Sequence, residues 1–207
     1  MNLPFRVNQP APSLPAGISP GSGPASLEAV LAWFDSLPPV ALEQLQGLWK
    51  GREIATGHPM DGWLEASGWL GKEFEDPETV HPLVFRAADG SLLRVRPHPW
   101  AMRSLRNLSF LKAPAWWGTL RRTTALLRNP RSQARLRMVE YRGVVSAAML
   151  YDELPIIDCF RRISDDQVLG LMDEKGTPEP YAFLLERVDR TGIGVPRPSQ
   201  KPAADPD

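Results

Sequence analysis

The chain has 207 residues, 43% of them hydrophobic, and its 24 lysines and arginines balance 24 aspartates and glutamates. That length can bury one good core but not two full domains, and zero net charge gives no bulk attraction for nucleic acid. A single cysteine, Cys159, excludes an intrachain disulfide framework, and no apolar run approaches the length of a membrane span, so a soluble cytoplasmic protein is expected.

Residues 1–24 and 191–207 are rich in proline, glycine and serine without periodicity and read as disordered tails around one domain, 25–190. Ser26 is placed to cap a short helix through Phe34, with Leu27, Val30, Leu31 and Phe34 on one face. Pro38-Pro39 ends that unit, and Val40–Leu45 is a second short helical pattern, closed by Gly47. Trp49 then sets a large ring where the chain turns into a strand, placed to plug the narrow end of a small barrel. Strands are expected at Leu48–Ala55, Gly71–Glu75, Pro82–Ala87, Leu92–Arg96, Arg135–Arg142, Val144–Tyr151, Pro155–Arg162, Val168–Asp173 and Tyr181–Val188, with a turn or short helix at His58–Ser67. Asp89-Gly90 is a hairpin signal. Short strands at hairpin spacing predict a mainly β fold, a single antiparallel up-and-down barrel of calycin-like shape, in which residues 40–99 and 132–190 supply the two halves.

The rhythm breaks at an insertion, residues 100–131. Its second half places Trp116, Trp117, Leu120, Thr124 and Leu127 on one side, with Arg121, Arg122 and Arg128 largely elsewhere. Such a helix caps a barrel mouth, and an anionic membrane surface is the partner it would otherwise suit. From Ser91 to Arg142 there are twelve arginines and lysines against one acid, Glu140, which suits an anionic partner, a lipid headgroup or the acidic part of the same molecule. No specific nucleic-acid partner is expected.

Chemistry is less legible. His58, His81 and His98 lack metal-ligand spacing, and no nucleophile elbow or phosphate-binding glycine loop is present, so no metal site or catalytic residue is assigned. Cys159, between apolar neighbours, reads as a packed thiol. Asp158 interrupts an apolar strand, and Tyr151 ends one rich in small side chains (Ser146, Ala147, Ala148), as a ligand cavity needs. A carboxylate inside a barrel must be paired or protonated, with Arg137, Arg142 or Lys72 as partners, and the strand register decides which face each residue takes. The loop His58-Pro59-Met60-Asp61-Gly62-Trp63 combines an imidazole, a carboxylate and an indole, or else Asp61 and Gly62 merely turn the chain. The expected ligand-binding set is therefore Trp63, Tyr151 and Asp158 on a common cavity, with His58 and Asp61 at its mouth.

Gly47-Leu48-Trp49-Lys50-Gly51, Thr56–Gly62, Gly68–Lys72 and Val80–Leu83 together resemble the GXWXG domain family. Arg137–Gly143, Tyr151–Asp158 and Gly170–Gly176 resemble the companion domain of unknown function that follows it. The resemblance runs from about residue 40 to about residue 190 and implies a fold, not a reaction. The Gly-x-Trp element alone is also similar to lipocalins, fatty-acid-binding proteins and haem-binding nitrobindins. The lipocalin likeness implies that Gly47, Trp49 and Gly51 form the barrel base, with Arg187 of the last strand stacked on Trp49. The nitrobindin likeness would make one histidine a haem ligand, whereas the residues themselves favour structural hydrogen bonding and name no cofactor. The expected function is binding of a small, mainly hydrophobic ligand inside the barrel. The alternatives are an enzyme of the same shape moving protons through Asp61, His58 or Asp158, and an interaction module built on the basic insertion.

Overall fold

The computed structural model describes residues 18, 24–87, 90–97, 118 and 128–188. Among these residues nine strands follow one another: β1 (Gly47–Ile54), β2 (Trp69–Asp76), β3 (Thr79–Arg86), β4 (Leu92–Arg94), β5 (Ala134–Tyr141), β6 (Val144–Tyr151), β7 (Ile156–Arg162), β8 (Gln167–Glu174) and β9 (Tyr181–Arg187). All pair antiparallel in the order β2-β1-β9-β8-β7-β6-β5-β3-β4, and β2 also pairs with β3, which closes an eight-stranded up-and-down barrel. The closing ladder between first and last strands runs from Trp49↔Arg187 to Ile54↔Ala182. The other seam is thin: β5 meets β3 at Val80↔Ala134, helped by Gln133 N donating to Val80 O and Val80 N donating to Ser132 Oγ. β4 folds back along the rest of that β3 edge, from Arg86↔Leu92 to Val84↔Arg94.

Alternation within the strands sorts side chains into two cores. The inner one joins Trp49, Phe74, Phe160 and Phe183 with Leu136, Met149, Val168 and Leu185. Phe160 sits edge-on to both Phe74 and Phe183, centroids 5.9 and 6.2 Å apart. Glycines make room for these rings: a Cβ on Gly51 would lie 2.0 Å from the Trp69 ring, and one on Gly170 would lie 2.4 Å from Phe183. The outer core is made by α1 (Leu27–Ser36), capped by Ser26, lying over Cys159, Leu169, Leu171, Ala182 and Leu184. Its buried face is Val30, Trp33 and Phe34. Trp33 thus takes the place expected for Leu27, which is half-buried, as is Leu31. Arg161 is buried beneath this layer, 4.7 Å from the Phe34 ring and donating to Tyr141 O, so it fastens the β5–β6 hairpin to α1. The second helical pattern shortens to a 3-10 turn, Glu43–Leu45, and the loop after β1 holds α2 (Trp63–Ser67).

A bulge in β2 shapes the interior. The register passes from Trp69↔Phe85 to Gly71↔Val84 to Glu73↔His81, with irregularities on both strands. Trp69 and Lys72, three residues apart, therefore both face inward, which strict alternation forbids. Gly71 sits at φ 155°, and a Cβ there would lie 1.8 Å from the Trp49 carbonyl oxygen, so this close approach requires glycine. Ile18, within the stretch expected to be a loose tail, is buried with the outer core. The other expected tail positions up to 17, from 19 to 23 and from 191 to 207 lie outside the described residues. So does nearly all of the insertion, including Trp116, Leu120, Leu127, Arg121 and Arg122, together with His98.

Candidate interior site

At the base, where β1 begins and β9 ends, Trp49 is fully buried and its Nε1 donates to Leu45 O at 2.6 Å. The Arg187 guanidinium stacks 4.3 Å from the Trp49 ring and donates to Gln46 O at 2.6 Å and Gln44 O at 2.7 Å. Gly47 is left-handed beside this guanidinium, and Gly51 underlies Trp69. A cavity of about 210 Å³ lies here, lined by Val40, Trp49, Arg162, Ser164, Asp165 and Arg187. A smaller one, about 80 Å³, lies against Lys50, Arg52 and Glu186. Neither touches Trp63, Tyr151 or Asp158, so the interior site is defined by its contacts.

Toward the opposite end, where β1 and β6 finish and β7 and β9 start, polar side chains converge inside the barrel. Lys72 Nζ lies 2.7 Å from Asp158 Oδ2, both side chains almost wholly buried. The Tyr151 phenol lies against the same carboxylate. The ammonium is surrounded by rings, 4.9 Å from Phe183, 5.5 Å from Trp69 and 5.8 Å from Tyr151, and it also approaches Pro82 O at 3.5 Å. Burial raises the Asp158 carboxyl above the usual carboxylate range, against the opposing pull of Lys72 and Tyr151. Burial, reinforced by the Asp158 charge, pushes the Tyr151 phenol well above its usual range.

A second polar group occupies the same layer. Met149↔Asp158, Asp158↔Met172 and Met172↔Tyr181 are successive pairs across four strands, so Asp158 and Tyr181 flank Met172. Tyr181 OH donates to Glu53 Oε2 at 2.6 Å, and the Gly62 amide donates to Glu53 Oε1. The His58 ring packs 5.3 Å from Tyr181, and its Nδ1 accepts from Met60 N. Burial raises Glu53 despite these hydrogen bonds. It also carries the Tyr181 phenol well above its usual range, with the Glu53 charge adding to the effect.

Of the expected set, Tyr151 and Asp158 thus meet in one cluster with Lys72. Trp63 and Met60 are buried in the inner core from the β1–β2 segment. His58 belongs with Tyr181. Asp61 instead accepts from Thr56 N and Gly57 N and holds the loop, the turn role weighed against a site role. Glu53 and Tyr181 were missed, although Glu53 shares the parity of Trp49 and Gly51 on β1 and could have been placed inward. Described arginines of the basic stretch are largely paired within the fold: Arg94 with Glu73 and Glu75, Arg96 with Glu153, Arg137 with Glu78 and Arg142 with Asp35. Among the described residues no cluster of histidine, cysteine or carboxylates suits a metal, and no helix is long and apolar enough to cross a membrane.

Residues 32–90 match the GXWXG protein family, and residues 132–187 match a domain of unknown function (DUF4334). The crystal structure of a protein from Thermomonospora curvata shares the fold at a TM-score of 0.60 and 34% identity, covering 80% of this chain and 90% of that one. This chain belongs to the GXWXG family. No curated protein is similar enough to count as a relative. The two family segments map onto the barrel as β1–β3 and β5–β9, and the Lys72–Asp158 contact joins one segment to the other.

Proposed function

We propose that this barrel binds a small, mainly apolar molecule in its interior, with the molecule's polar group directed at Lys72, Asp158 and Tyr151. The observation that supports this reading is a buried ion pair inside an aromatic-lined barrel. Removing two charges from water costs several kcal/mol per ion, and well-packed apolar side chains of similar volume often serve stability as well or better. Polar groups convergent on an apolar enclosure are instead what a ligand site needs to orient its guest. Met60 and Trp63 are the wall that yields on entry. They ride on a segment with left-handed glycines at Gly57, Gly62 and Gly68, the last two bracketing α2. A cytoplasmic setting belongs to the reading and fits a lone, packed Cys159 whose thiol burial pushes up to about 12.

Native mass spectrometry of freshly purified protein, with solvent extraction of any adduct, tests it alongside titration with the neutral apolar dye N-phenyl-1-naphthylamine. A co-purifying small molecule, or dye fluorescence that Asp158→Asn alters in strength or pH dependence, is the expected result. No adduct and no dye binding would sink the reading.

A catalytic reading has one specific observation behind it. Asp158 combines a raised carboxyl with contact to a phenol and an ammonium, a set able to pass a proton to or from an apolar substrate. Exchange of deuterium into a bound carbon acid, abolished by Asp158→Asn, would favour it over simple binding.

A further inference from the structure

One buried donor in the site finds no acceptor. Trp69 Nε1 is sequestered from solvent and has no hydrogen-bond partner among the described residues, a costly state for an indole N–H. The benzo edge of Trp69 lies on Gly51: Cζ3, Cη2 and Cε3 are the atoms a Cβ there would meet. The pyrrole edge that carries Nε1 is therefore turned away from Gly51. The indole itself has Lys72 Nζ 5.5 Å from its ring centroid and the Phe183 ring edge-on at 6.2 Å.

The charges of this site already cancel. Lys72 faces Asp158 at 2.7 Å, and the Tyr151 phenol lies against the same carboxylate. An anionic head would bring an uncompensated charge into a space that excludes water, and a cation would meet the Lys72 ammonium. A neutral oxygen acceptor takes the indole N–H without disturbing either ion. Aromatic rings on the surrounding wall suit a flat, apolar body.

We infer that the interior site selects an uncharged ligand bearing a carbonyl-type oxygen, which accepts the Trp69 Nε1 proton beside the Lys72–Asp158 pair. This rests on the ligand-binding reading above and adds the chemical class of the guest.

Acetophenone, benzoate and ethylbenzene share a ring and differ in the head: neutral carbonyl, carboxylate and no acceptor. Each is titrated into the ¹³C,¹⁵N-labelled full chain at pH 7.5, following the Trp69 indole resonance assigned in the parent chain by through-bond and through-space connectivities. Acetophenone is expected to move that proton downfield and to bind about tenfold more tightly than ethylbenzene, the factor that one hydrogen bond to a buried donor supplies. Benzoate is expected to bind weakest. In Trp69→Phe the preference for acetophenone over ethylbenzene should vanish while ethylbenzene still binds. If that variant does not fold, the downfield shift in the parent chain decides the matter. Benzoate binding tightest, or equal binding of acetophenone and ethylbenzene with an unmoved indole, overturns the inference and leaves the ligand-binding reading standing. Failure of all three probes to bind overturns both.

Discussion

At the base, Arg187 stacks on Trp49 and donates to the carbonyls of Gln44 and Gln46, whereas at the far end Lys72 lies among Trp69, Tyr151 and Phe183 and meets the Asp158 carboxylate. Both arrangements set a cation against aromatic rings. They differ in what neutralises it. At the base the guanidinium is shared between the Gln44 and Gln46 carbonyls, which do not titrate, and the exposed carboxylate of Asp166 at 3.2 Å. The interior site relies on an ionisable side chain that can gain a proton or change partner. One end is built to stay as it is, and the other keeps a chemical degree of freedom.

Gly71 ties the two ends together, since it touches the Trp49 carbonyl and aims Lys72 inward. Gly71→Ala should therefore produce the largest effect, about 4 kcal/mol or more, because neither backbone can yield cheaply. Urea unfolding measures it. A loss below about 1 kcal/mol would mean that the bulge is soft, and the inward position of Lys72 would lose its structural cause.

Lys72→Met should cost about 3–5 kcal/mol by leaving a buried carboxylate uncompensated, and Lys72→Met/Asp158→Leu should recover most of that loss. The recovery is the informative part. It would show that the pair contributes little to net stability and leave function as the reason for keeping it. A double variant as unstable as the single one would instead make the pair structural, like the base. Arg187→Lys should cost about 1–2 kcal/mol, since an ammonium loses both the planar stack and the forked donation to two carbonyls. Binding of N-phenyl-1-naphthylamine at the far end should be unchanged by it.

These regions were unequally legible in the sequence. The nine strands could be read because alternation, proline and the glycine turns bound each of them. Closure of the barrel then brings the first and last strands together, which puts Arg187 beside Trp49. The interior site needed more. Asp158 and Tyr151 stood out as polar residues on apolar strands, and Lys72 was one of three partners left open for Asp158. Choosing among them required the β2 bulge, which reverses the face of every residue after it, and nothing in Gly-Trp-Leu-Gly-Lys states a bulge. Glu53 fails for a different reason. Its inward parity was readable, but its partner Tyr181 lies 128 positions away and only the β1–β9 pairing brings them together.

Glu53 also gives the smallest and most discriminating test of the difference between the ends. Its carboxyl is raised in the folded chain, chiefly by burial, so the native state holds that proton to a higher pH than the unfolded chain does. As pH rises from about 4.3, where an unfolded glutamate ionises, the unfolded state sheds the proton first, and stability falls until the native group ionises too. Above that point the contribution is constant. Asp158, also raised, adds a fall of the same sign beginning near the ordinary aspartate value. Glu53→Gln removes one of these two contributions, so a plot of unfolding free energy from pH 4.5 to 7.5 should slope down less steeply than the parent's. Arg187→Lys should shift the whole curve and leave its slope unchanged, because the Trp49 stack holds no raised carboxyl. Were the Glu53→Gln curve to fall as steeply as the parent's, the Tyr181 and Gly62 hydrogen bonds would outweigh burial, and Glu53 would belong with the fixed scaffold of the base.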